Sequence, residues 1–164
     1  MKNKILSFLF LSSYLLPVLI QAQTAAITVE GDIAKPVIFT TADLNTMNRI
    51  NLKLADMDGG SHVYSGIAVT DILKKAGVIK PGFNRDDLTK YVLAKSSDNY
   101  EVLFSFTELD SAFSGRTILL VDSVDGKPLP QSKGPYRMAV PGEEKRQARW
   151  IWSVTTFIIK LSMD

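Results

Sequence analysis

Alternation of apolar and polar positions recurs along the chain and predicts mostly strands. "INLKLAD" (50–56) sets Ile50, Leu52 and Leu54 on one side and Asn51 and Lys53 on the other, the period of a half-buried strand. "ITVEGDI" (27–33) predicts a strand running into a Gly-Asp turn, and "KPVIFT" (35–40) a second short extended piece. "YVLAKS" (91–96) and "YEVLFSF" (100–106), separated by Asp98 and Asn99, predict a β-hairpin. "TILLVDSV" (117–124) is apolar enough for a buried strand and stops at an Asp125-Gly126 turn. "YRMAVPG" (136–142) and "WIWSVTTFIIK" (150–160) supply the last strands, and the second would set Trp150 and Trp152 on one strand face. The helical period is rarer. "TADLNTM" (41–47) predicts a short helix capped by Thr40 or Thr41. "IAVTDILKKAG" (67–77) places Ile67, Ile72, Leu73 and Ala76 on one stripe, with Gly77 as its stop. "TELDSAF" (107–113) predicts a helical turn, while "MDGGSHVYSG" (57–66) and "VIKPGFNRDD" (78–87) read as loops. No βαβα alternation appears, so the expectation is α+β: a mostly β, mixed-sheet domain with few short helices.

The N-terminus follows a different rule. Lys2 and Lys4 precede an apolar run from Ile5 to Ile20, and a small residue stands at Ala22. This layout predicts a secretory signal over 1–22 and one domain over 23–164. Pro17 and two serines interrupt the run, which is short for a full membrane span. The expectation is therefore an exported protein, periplasmic or secreted, with no stable membrane anchor after cleavage.

Charge changes the picture through its distribution. Removing the two leader lysines leaves 17 Lys/Arg against 17 Asp/Glu. Residues 23–125 carry 10 Lys/Arg and 14 Asp/Glu, whereas residues 126–160 carry 7 and 2. The asymmetry points to a local anion site. The balanced total, without a basic run interleaved with aromatics, argues against nucleic acid as a partner.

Several chemistries find no carrier. Neither G-x-x-x-x-G-K-[ST] nor G-x-G-x-x-G occurs, and no G-x-S-x-G elbow. His62 is the sole histidine and there is no cysteine, so disulfides, thiolate ligands and a histidine zinc cluster are excluded. Asp56, Asp58 and Gly59-Gly60 lack the full calcium-loop spacing and read as a turn. The stretch with chemical content is "GPYRMAVPGEEKRQARWIWSV" (134–154), where Arg137, Lys145, Arg146 and Arg149 surround a Pro-Gly turn. Arginine suits bidentate recognition of phosphate or carboxylate, and a guanidinium on a buried strand needs an anion or water.

Three segments, "YSGIAVTDILKKAGV" (64–78), "DGKPLPQSKGPYRMAVPG" (125–142) and "RWIWSVTTFII" (149–159), together resemble the oxidoreductase molybdopterin-binding domain of sulfite oxidases and related exported reductases. The resemblance spans about residues 27–160. It implies a mainly β, α+β fold and a pocket in which basic side chains meet the phosphate of a molybdopterin. By that resemblance Arg137 and Arg149 face the anionic end of the cofactor. Lys133 and Lys145 stand at the rim, and His62 comes from the glycine-rich loop. Catalytic members of the family ligate molybdenum through a cysteine in the loop that here reads "ADMDGGSHVYSG" (55–66), and no cysteine exists in this chain. The family also places a histidine just before the P-x-R motif, where Ser132 and Lys133 stand here. The expectation is a stand-alone domain, without the haem and dimerisation domains of sulfite oxidase, that binds an anionic small molecule. Two readings stay open beside it: a molybdopterin enzyme with unusual metal ligation, and a protein-interaction module on the same fold.

Overall fold

The computed structural model describes residues 26–80 and 85–162; the expected leader lies outside the described residues. Among the described residues, ten strands form two sheets. The first contains β1 (Ala26–Gly31), β2 (Val37–Thr40), β5 (Lys90–Ser96), β6 (Glu101–Ser105) and β10 (Val154–Leu161), in the order β2-β1-β10-β5-β6. Strands β1 and β10 run parallel, Val29 opposite Phe157, and the other neighbours are antiparallel. The second contains β3 (Ile50–Ala55), β4 (Ser61–Ala68), β7 (Leu119–Val124), β8 (Lys127–Pro128) and β9 (Arg137–Ala139). Its order is β3-β4-β7, with β8 and β9 paired to different parts of β7. The result is the expected mostly β, mixed-sheet α+β fold.

Period-two alternation decides which side chains enter the core. Along β5, Val92, Ala94 and Ser96 are buried, and their partners Phe104 and Val102 on β6 face the same way. Both sheets feed one buried cluster: Ile27, Val29, Phe157 and Ile159 from the first, Tyr64, Ile67, Leu120 and Met138 from the second. Gly66 sits where β4 bulges against β7. A Cβ there would lie 2.2 Å from the Leu120 carbonyl oxygen and 2.6 Å from the Val121 Cα, so only glycine lets the strands approach.

The helices are short: α1 (Thr41–Asn45), α2 (Val69–Lys75), α3 (Phe106–Leu109) and α4 (Ser111–Ser114). Thr40 caps α1 and exchanges hydrogen bonds with Asp43, a full capping box. Gly77, with φ +75°, closes α2 as expected.

Three boundaries depart from the sequence reading. The stretch 57–66 is not a loop throughout: β4 begins at Ser61, and only residues 56–60 turn, closed by the Asp56 N–H donating to the Gly60 carbonyl. The glycine pair marks a tight hairpin, not a long mobile segment. Ile67 belongs to β4, and α2 begins at Val69. The last strand begins at Val154, so Trp150 and Trp152 precede it.

Candidate ligand site around Arg137

The segment before β10 nevertheless runs alongside β9. The Met138 N–H donates to the Ile151 carbonyl (2.9 Å) and the Val154 N–H to the Tyr136 carbonyl (3.0 Å). These bonds frame an antiparallel bridge between Arg137 and Trp152. Residues opposed in this way share a face and stand close. The Arg137 guanidinium carbon therefore lies 3.6 Å from the centroid of the Trp152 ring. Trp150 is 4.9 Å away and Tyr64, from β4, 5.8 Å. The two tryptophans thus flank the same cation, although strand alternation is not the cause.

Arg137 is 3% exposed, a burial rare for an arginine. Its Nη2 donates to Gln147 Oε1 (2.6 Å). Its nearest carboxylate oxygen, Asp56 Oδ2, stands 3.9 Å from Nη1, outside hydrogen-bond range. Its Nε is buried with no hydrogen-bond partner, and no other buried side-chain nitrogen or oxygen among the described residues is left so. Burial pulls the guanidinium pKa below its ordinary value, against the opposing pull of Tyr64 and Asp56.

Asp56, at the end of β3, is the hub below. It accepts from the Tyr64 hydroxyl, from Gln147 Nε2 (2.8 Å) and from the Met57 N–H (2.6 Å). Burial pushes its carboxyl up, but these bonds and the Arg137 charge more than offset that and hold it below the usual range. Burial, together with Asp56, raises the Tyr64 hydroxyl well above its ordinary value.

The other expected site residues go to different places. Lys133 lies 4.7 Å over the Trp152 ring, so two cations share that indole. Lys145 lines a hollow of about 290 Å³ with Asp56, Met57, Gly59 and Glu144. A second hollow, about 180 Å³, is lined by Tyr100, Gln147, Trp150 and Trp152. Arg149 is occupied elsewhere. It grips Glu108 through two bonds (2.5 and 2.8 Å), bonds Glu143, and donates to the Leu103 carbonyl (3.2 Å). Arg116 joins the same cluster through Glu108 (2.5 Å) and the Pro141 carbonyl (3.0 Å). Glu108 and then Glu143 raise the Arg149 pKa far above its ordinary value. His62 bridges Asp125 (Nδ1, 2.6 Å) and Asp58 (Nε2, 3.0 Å), tying the 56–60 turn to the β7–β8 turn.

Sequence reasoning missed Asp56, Tyr64 and Gln147. Asp56 was set aside as part of a turn, Tyr64 was hidden in a stretch taken for a loop, and Gln147 stands in a polar run with no signal of its own.

A family model described as the oxidoreductase molybdopterin binding domain matches residues 53–157, which include the Arg137 strand, the Asp56 turn and both tryptophans. The chain belongs to this family. This oxidoreductase-type, molybdopterin-binding domain shares its fold with a solved relative, the sulfane dehydrogenase SoxCD from Paracoccus pantotrophus. The two are 19% identical, with a TM-score of 0.63 over 85% of this chain and 38% of that chain. The domain thus spans well under half the length of that relative. No curated protein matches the chain.

The residues present can be tested against the family's cofactor. At its anionic end they fit: a buried guanidinium with an unfilled donor, a second cation on the same indole, and aromatic faces beside them. At the metal end the chain offers no thiolate, and no three His, Cys, Asp or Glu side chains group to hold a metal among the described residues.

Proposed function

We propose that the chain is an exported binding domain that holds a small oxyanion-bearing molecule, of the pterin-phosphate class, at Arg137. The observation that carries this is the unpartnered, buried Nε. A protein that needed Arg137 only for packing would place a carboxylate on it or replace it with an apolar residue. Lys133 and Trp152 form the approach to the guanidinium, and Lys145 stands at the rim beside Asp56. Arg149, committed to Glu108 and Glu143, holds the 141–149 segment in place, and His62 holds the turn that carries Asp56.

The groups that meet here are guanidinium, indole, ammonium and amide, which fix and neutralise an anion. A molybdenum–pterin group, when bound, supplies redox chemistry at its metal. This chain's residues would orient its phosphate and screen it from water.

The test is thermal unfolding of the purified protein with and without inorganic phosphate. The wild type is expected to gain stability with phosphate, and Arg137→Met to gain none. Equal gains in both proteins would remove Arg137 from the site.

A further inference from the structure

Given that reading, we propose that Gln147 is a displaceable plug which occupies the ligand's place on Arg137. On a guanidinium, Nε–H and one Nη2–H lie side by side and form an edge that matches two oxygens of a phosphate or carboxylate. In Arg137 one nitrogen of this pair has a partner and the other has none. Gln147 brings a single amide oxygen, which takes Nη2 at 2.6 Å and leaves Nε with nothing. A two-oxygen anion would satisfy both donors, and with charge. The amide is thus a weaker occupant than the ligand it stands in for.

Two further features suit a side chain that leaves. Gln147 has φ +46°, the left-handed region that non-glycine residues rarely adopt. It also lines one hollow, while Asp56, bonded to its amide nitrogen, lines the other, so the Gln147 side chain stands between the two. The surrounding segment stays anchored meanwhile. Arg149 holds Glu143 and Glu108, and Arg116 holds the Pro141 carbonyl. The movement is therefore a swing of one side chain and not the opening of a loop.

The experiment is arginine labelling of the whole protein with phenylglyoxal, read by peptide mass spectrometry, with exposed Arg85 as internal control. In the wild type Arg137 is expected to be protected. In Gln147→Gly, whose residue suits the backbone, Arg137 should react at least about tenfold faster while Arg85 is unchanged. Gln147→Asn, which also tolerates this conformation but falls one methylene short, should behave alike and covers the case in which the glycine variant misfolds. Slow labelling of Arg137 in a folded variant overturns the plug. The reading of the site is tested separately, by adding inorganic phosphate to the opened variants. Protection of Arg137 by phosphate supports it, whereas fast labelling that phosphate does not slow leaves the plug standing and defeats the anion site.

Discussion

Replacing Arg137 with methionine is the most revealing single change. Two favourable contributions would be lost. The charged hydrogen bond to Gln147 contributes about 1.5–3 kcal/mol, and a desolvated cation on Trp152 about 1–2 kcal/mol. Two unfavourable ones would vanish with them. The orphaned Nε costs about 1–3 kcal/mol, and a buried cation whose nearest carboxylate oxygen is 3.9 Å away carries a desolvation penalty of several kcal/mol. The two sides cancel to within about 2 kcal/mol. Methionine keeps the unbranched stem and adds sulfur–aromatic contact with the indoles, about 0.3–1.5 kcal/mol. Arg137→Met should therefore leave stability unchanged or raise it by up to about 2 kcal/mol, an increase of up to about 6 °C in Tm for a domain of this size. Calorimetry would check the shift. A fall of 6 °C or more would refute the reasoning, because it would make Arg137 a structural keystone instead of a residue held against stability for a ligand.

Other outcomes follow from the same geometry. Arg149→Ala should lower stability by about 2 kcal/mol, since Glu108 and Glu143 lose their main partner, yet keep the phosphate response; loss of that response would put Arg149 in the site. Burial raises the Glu108 pKa, but Arg149 and Arg116 more than offset this and leave it lowered, so its contribution is present above its ordinary value and fades as pH falls through the folded one; acid unfolding at a higher pH in Arg149→Ala would show this. Asp125 and then Asp58 raise the His62 pKa, so that clasp is fully present below about pH 6.5 and is lost as pH rises through the raised value. An NMR titration should place His62 above 6.5, and a value at or below it would contradict the bridge. Gly66→Ala should cost about 3 kcal/mol or more in denaturant unfolding, because its Cβ meets backbone that cannot yield.

The fold was legible because alternation carries it. Ile50, Leu52 and Leu54 announced their strand, and Gly77 its helix stop. Boundaries failed where a local signal competed with pairing: Gly59-Gly60 read as a loop hid β4, whose register is set by β3 and β7. The site was half legible. Arg137 and Lys133 could be singled out as cations, and both come to Trp152. That Arg149 is spent on Glu108 could not be seen, since 41 positions separate them and only the tertiary fold joins them. Gln147 was invisible for a simpler reason. A neutral amide carries no charge or period, and its meaning lies wholly in the guanidinium it touches.

The most direct measurement is the pterin content of the protein purified from a host that makes and exports the molybdenum cofactor, read as fluorescence after oxidation. Wild-type protein is expected to carry pterin and Arg137→Met to carry none. Pterin in neither protein, or the same amount in both, would contradict a pterin-phosphate site at Arg137.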